Sequence, residues 1–201
     1  MVLYASFLDP IRLDSAMTGM TTLAIFLGFF GGMTIGQLVV AKYQGVTRPK
    51  SVSRLPREAI FRHVAVVFGF LASFLQPRHV PLAFVLVGSL IMLFGTAFTL
   101  WSQSVLGRNW IPGIGTHHSH KLVTDGPYAH IRHPIYTGVA IVVVGGAICC
   151  TNLLLLVAGA LLWLSMAIRI PHEENLMHKK FKKRWERYEE TTGSFVPRVR
   201  R

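Results

Sequence analysis

Charge is scarce in this chain. Only 15% of its 201 residues are Asp, Glu, Lys or Arg, and just 9 are acidic. An ordinary soluble domain carries roughly 25% charge, so the deficit argues against a soluble globular surface. Cysteine is nearly absent too. The 2 cysteines are adjacent, Cys149 and Cys150, inside an apolar run. That excludes a disulfide framework and a thiolate metal centre, and leaves small span-packing residues as the reading. A basic leader is also missing. The first apolar run begins near residue 20, and Asp9, Arg12 and Asp14 precede it, so no cleavable signal peptide is expected.

What is present in quantity is apolar sequence in long runs, 51% of the chain. The runs are about 20–41, 59–75, 81–104, 135–150 and 153–170. Long apolar runs of this kind read as membrane spans, the last two near the lower limit of length. Cys150, Thr151 and Asn152 are the only turn between those two, which predicts a tight helical hairpin. The fold class expected is all-α integral membrane, with five transmembrane helices and a C-terminal amphipathic helix. Two regions follow: a three-span region, 1–105, and a region carrying the polar chemistry, 106–201. Residues 1–19 are too short and mixed to span, but Tyr4, Phe7 and Leu8 can lie at the interface.

The formal net charge is +12. The basic residues sit in short linkers and in the tail rather than on one domain face, so they point to anionic lipid and not to nucleic acid. Lys42, Arg48, Lys50, Arg54 and Arg57 face only Glu58 in the 42–58 linker. The 106–134 stretch and the tail hold the remaining excess. The positive-inside rule then puts the N-terminus outside and 42–58, 106–134 and 171–201 in the cytoplasm. Gly28, Gly32 and Gly36, spaced by four, make a helix face for close packing against another span or a second copy, a homodimer. The tail helix is expected at 172–191. Leu176, Met177, Phe181, Trp185 and Tyr188 form its apolar side. That side either rests on lipid or closes a pocket over the loop before it.

The chemistry concentrates in 106–136, LGRNWIPGIGTHHSHKLVTDGPYAHIRHPIY, which holds five histidines, four glycines and three prolines between apolar runs. Polar groups placed there mark the working part of a membrane protein. RIPHEE, 169–174, lies at the same membrane depth by topology, so the two segments can form one site. Tyr128, His133 and Tyr136 offer aromatic faces, able to hold an adenine or a sulfonium cation. Arg169 and Glu173 are four apart and pair if Pro171 does not end the helix. His117, His118, His120, His133 and His172 have no recognised ligand spacing, so no metal is expected.

The stretch LGRNW…HKLVTDGPYAHIRHPIYTG, followed by RIPHEENLMHKKFKKRWERYEE…VPR, resembles the isoprenylcysteine carboxyl methyltransferase family over about 106–198. The wider group includes phospholipid N-methyltransferases, and membrane sterol reductases are similar in their C-terminal half. The resemblance implies S-adenosylmethionine in a cytoplasm-facing cavity. It implies cofactor contacts at His120, Lys121, Leu122 and Val123, at Tyr128, at His133, Pro134, Ile135 and Tyr136, and at Glu173. Arg169 would be the substrate-facing arginine and Glu174 a second acid, together the catalytic pair. With fewer spans than members from nucleated cells, the chain is similar to the short bacterial members, which implies a bacterial inner membrane.

The reaction expected is methyl transfer to the carboxylate of a lipophilic or lipid acceptor that arrives from the bilayer. A carboxylate needs no base at neutral pH, and Arg169 can hold it. An amine acceptor must first lose a proton, to Glu174 or His172. The alternatives are an N- or S-methyltransferase of phospholipids or small molecules, an NADPH-dependent membrane reductase, and a non-enzymatic membrane scaffold.

Overall fold

The computed structural model describes residues 80–110 and 120–198 continuously, and before them the helical positions 24, 28, 31, 32, 35–40, 42, 43, 60, 61, 64, 65, 68 and 69. The expected interfacial segment 1–19 and His117 and His118 lie outside the described residues. Four helices run through the continuous part: α1 Leu82–Leu106, α2 Pro134–Cys149, α3 Leu154–Phe181 and α4 Lys183–Thr191. Single 3-10 turns occupy Gly107–Asn109 and Gly126–Ala129. The architecture is all-α.

α1 follows Pro81 and carries no proline for 25 residues. It stops at Gly107, whose φ of 59° is easy only for glycine and whose N–H donates to the Gln103 carbonyl. α1 and α2 then approach backbone to backbone. Gly88 and Gly95 on α1 face Gly138 and Gly145 on α2. Each pair is seven residues apart, two turns, and so lies on one helix face. A Cβ at Gly95 would stand 2.9 Å from the Gly138 carbonyl oxygen and 2.9 Å from the Val142 nitrogen. A Cβ at Gly145 would stand 2.8 Å from the Met92 nitrogen. Met92, Val142 and Cys149 are fully buried in this seam. The packing runs across the residue-106 divide read from the sequence.

Gln103, fully buried, donates from Nε2 to the Gln37 carbonyl at 2.8 Å, tying the first apolar run to α1. Gly36 meets Leu100 there, so one member of the glycine face packs within its own chain. Gly28 and Gly32 meet nothing within 4 Å among the described residues.

The expected hairpin is present. Thr151 takes a φ of 47°, and the Asn152 side chain accepts from the Leu154 N–H at 3.0 Å. α3 differs from the sequence reading. It does not stop at residue 170 but continues through Pro171 to Phe181, and Lys182, at φ 50°, separates it from α4. The expected single tail helix over 172–191 is thus two pieces, the first of them the end of α3. Contacts that bridge Pro171, described below, replace what its missing N–H cannot supply.

Among the described residues two helices are long and apolar enough to cross a membrane, Leu82–Asn109 and Leu154–Phe181. α2, at 16 residues, is about 24 Å long, less than a hydrocarbon core of about 30 Å. The apolar part of α3 ends at Ile170, and its last three turns carry His172, Glu173 and Glu174 beyond it.

Candidate active site

The start of α2 and the emerging part of α3 lie side by side. Pro134 occupies the first turn of α2, where its missing N–H is harmless, and it is fully buried. Tyr136 follows two residues on. On α3, Arg169, Glu173 and Glu174 fall within six residues, so helical spacing sends the two carboxylates to neighbouring directions.

Glu173 accepts from the Tyr136 hydroxyl, at 3.0 and 3.1 Å to its two oxygens, and from Arg169 Nε at 2.5 Å. Arg169 also lies over the Tyr136 ring, 6.0 Å from its centroid. Glu174 accepts from Arg132 Nε at 2.9 Å and lies 3.0 Å from His133 Nε2. His133 Nδ1 stands 4.0 Å from Glu173. The His133 and Tyr136 rings stack, 10° from parallel at 5.6 Å. His133, Tyr136, Arg169, Glu173 and Glu174 therefore form one cluster, although the two segments are about forty residues apart in sequence. Each acidic side chain is only about one fifth exposed.

Glu174 lies beyond the apolar part of α3. Burial pushes its carboxyl pKa up, but the hydrogen bonds and charges of His133 and Arg132 outweigh that and hold it below the usual carboxylate range. Burial also pushes the Tyr128 phenol well above its ordinary value, so it is neutral at any physiological pH. Tyr188 is raised by burial in the same way, and its hydroxyl donates to the Tyr128 carbonyl at 2.8 Å. Trp185 and Tyr188 are buried, and α4 thereby lies against the 120–131 loop with the apolar side expected of the tail.

The HKLV segment has contacts of its own. The His120 ring is 6.3 Å from that of Phe181, and the Lys121 N–H donates to Asn109 Oδ1 at 2.8 Å. Leu122 lines an open groove of about 470 Å³ with Thr124, Arg184 and Arg187. Val123 and Ile135 are half-buried. Among the described residues no group of three His, Cys, Asp or Glu is arranged to hold a metal ion.

Sequence reasoning passed over three features. Arg132 is the central cation of the second carboxylate. The segment Gly193–Phe195 returns to the loop, with Arg132 N–H donating to the Gly193 carbonyl at 2.8 Å and His133 N–H to that of Ser194 at 3.0 Å. Phe195 then sits between His133 and Trp163, at 6.1 and 5.4 Å. The glycine in TGSFVPR was the available signal for a close backbone approach.

Residues 86–179 match the isoprenylcysteine carboxyl methyltransferase (ICMT) family. The match covers just under half of the chain, which resembles this family over that stretch. Its curated relatives agree. It is 33% identical over 114 residues to a probable protein-S-isoprenylcysteine O-methyltransferase of Oryza sativa subsp. indica, covering 55% of this chain and 60% of that protein. The match thus spans less than two thirds of the rice protein. Protein-S-isoprenylcysteine O-methyltransferase B of Arabidopsis thaliana is 27% identical over 180 residues, 88% of this chain and 85% of that protein. The solved structure of the eukaryotic intramembrane Ras methyltransferase ICMT superposes with a TM-score of 0.60 at 20% identity, covering 86% of this chain and 67% of that one. The fold is therefore shared with that intramembrane protein, and the two long apolar helices of this chain are in keeping with it.

Proposed function

We propose that the chain is an S-adenosylmethionine-dependent methyltransferase acting on the carboxylate of a lipophilic substrate such as an isoprenylcysteine. The observation that carries this reading is the convergence of His133 and Tyr136 with Glu173 and Glu174 inside the ICMT-family stretch. The donor set fits the cofactor. Stacked rings suit an adenine or a sulfonium, and a carboxylate held by a tyrosine and an arginine suits ribose hydroxyls or an ammonium. Tyr128, His133, Pro134, Ile135, Tyr136 and Glu173 would hold it, with His120, Lys121, Leu122 and Val123 along the adjoining loop. When bound, the cofactor supplies a methyl group already activated by positive sulfur.

The protein's tasks are then alignment and exclusion of water. Arg169 binds one oxygen of the acceptor carboxylate and leaves the other to react. Its own orientation is fixed by Glu173 through Nε. Glu174, held ionised by Arg132 and His133, is a poor acceptor for an ammonium proton. That favours an acid over an amine as the methyl acceptor. The acceptor's apolar part lies in the bilayer beside the spans. Five spans, with the N-terminus outside and the site in the cytoplasm, suit the basic linkers. The relatives above are plant proteins, so a short bacterial member is read from the number of spans alone. A second copy docking on Gly28 and Gly32 is read from their spacing alone.

The test is a labelled-methyl assay in nanodiscs with a farnesylcysteine analogue and with a phospholipid amine. Base-labile product from the first is expected. The Arg169→Ala protein should lose about 30-fold or more in kcat/KM, the value of one charged hydrogen bond at about 2 kcal/mol or above. Base-stable product only, or undiminished turnover by that variant, removes the carboxylate assignment.

A further inference from the structure

We infer that Arg132 is a positioning residue for the cofactor: through Glu174 it fixes the His133 ring, and it pins the returning C-terminal segment over that same ring. This rests on the reading that His133 and Tyr136 hold S-adenosylmethionine. The Arg132 side chain is only 11% exposed and binds three residues, on α3 and at the end of α4. Nε donates to Glu174 Oε1 on α3 at 2.9 Å. Nη1 donates to the carbonyls of Thr192, at 2.8 Å, and Glu189, at 3.3 Å, at the end of α4. Nη2 lies 3.5 Å from the Glu189 carboxylate. A planar guanidinium serves these directions at once, and an ammonium does not.

The main chain reinforces the clamp. Residues 130–133 and 193–194 pair through three backbone hydrogen bonds: Arg132 to Gly193, His133 to Ser194, and the Gly193 N–H to the His130 carbonyl at 3.2 Å. The pairing delivers Phe195, whose carbonyl accepts from Thr137 Oγ1 at 2.9 Å and whose ring meets His133. The His133 ring is thus held at its edge by Glu174 and flanked by Tyr136 and Phe195. Loss of the Arg132 fork leaves Glu174 with His133 alone, frees the Thr192 carbonyl, leaves the Glu189 carbonyl to Arg198, and lets the ring leave its stack on Tyr136.

The experiment measures S-adenosylhomocysteine affinity by calorimetry, and KM for S-adenosylmethionine against kcat, on the full chain in nanodiscs. Arg132→Lys, Arg132→Gln and Glu174→Gln should each weaken affinity about tenfold, as expected for one lost charged hydrogen bond. Saturating cofactor should restore kcat to within about threefold, because none of these groups touches the reacting atoms. The Arg132→Gln/Glu174→Gln double variant should be no weaker than the worse single one. Arg198→Gln, which releases exposed contacts to the Glu189 and Glu190 carbonyls, should leave affinity unchanged. Parental affinity in Arg132→Lys and Glu174→Gln, or equal weakening by Arg198→Gln, overturns the assignment. If Arg132→Gln does not fold, the other two variants decide. If the unsubstituted protein binds no S-adenosylhomocysteine, the proposed function itself is lost, and this inference with it.

Discussion

Replacing Tyr136 separates two roles that one side chain combines. Its hydroxyl donates to Glu173 at 3.0 and 3.1 Å, while its ring stacks on His133 at 5.6 Å and underlies Arg169 at 6.0 Å. Tyr136→Phe removes only the hydroxyl. A hydrogen bond to a charged group contributes about 1.5–3 kcal/mol. Arg169 still holds Glu173, so the lower end applies, about 1.5 kcal/mol and a fall in apparent Tm of about 3–6 °C at this chain length. Tyr136→Ala also removes the ring. Stacking adds about 0.5–1.5 kcal/mol and the cation–π contact about 0.5–1 kcal/mol. S-adenosylhomocysteine affinity should therefore fall about tenfold for the Phe variant and about a hundredfold or more for the Ala variant. Thermal unfolding in detergent and isothermal calorimetry read the two effects separately. Equal affinity in Tyr136→Phe and Tyr136→Ala would refute the claim that the ring face contributes. Parental affinity in both would refute a cofactor site at this cluster.

Further consequences concern packing and pH. Gly95→Leu drives a side chain into the Gly138 carbonyl and the Val142 nitrogen, each 2.9 Å from where its Cβ must stand. Overpacking of about 3 kcal/mol or more should follow, and folded protein in a fluorescence-detected size-exclusion assay should largely disappear. Gly28→Leu, which meets nothing within 4 Å among the described residues, should leave folding intact and weaken only the docking of a second copy. The depressed carboxyl of Glu174 makes stability pH-dependent in a definite sense. Its contribution is complete above the ordinary value of 4.5 and is lost as pH falls through the lower folded value. Melting temperature should therefore decline on acidification below about pH 4.5 in the parent, and more shallowly in Glu174→Gln.

Much of the site was legible because its signals are local and chemical. Glycines, prolines and histidines stood out against apolar neighbours, and the positive-inside rule put two distant polar segments at one depth. The turn at Cys150–Asn152 was readable because nothing else interrupts the two apolar runs. Other features had no local signal. Gly88 and Gly95 sit seven apart among large residues, and only the matching pair on α2 gives the spacing its meaning. Arg132 looked like one more basic residue in a basic loop. Its value depends on Glu174, forty-two positions away, and on main-chain carbonyls, which no side-chain pattern advertises. The HKLV stretch shows the converse. Its residues carry no chemistry that fixes where they sit, and the structure puts the His120 ring 6.3 Å from that of Phe181 and Leu122 in the groove beside α4.

Pro171 is where a propensity rule failed for a physical reason. A proline inside a helix removes one hydrogen bond and usually costs about 3 kcal/mol or more, which is why the helix seemed to end there. Contacts on both sides carry it across. Arg169 pairs with Glu173 over the proline, and His172 Nδ1 lies 3.0 Å from the Ile168 carbonyl, to which its Nδ1–H tautomer donates. The helix therefore leaves its apolar stretch without a joint, and both carboxylates stay at a fixed height above the span. Pro171→Ala should restore the N–H donor toward Ala167 and raise stability by about 1 kcal/mol, less than the full penalty because those contacts already offset part of it. Cofactor affinity should stay at the parental value, since Tyr136, His133 and Arg132 locate the carboxylates from outside α3. A stabilised variant with weakened binding would mean that Pro171 itself, rather than the clasp around it, sets the site.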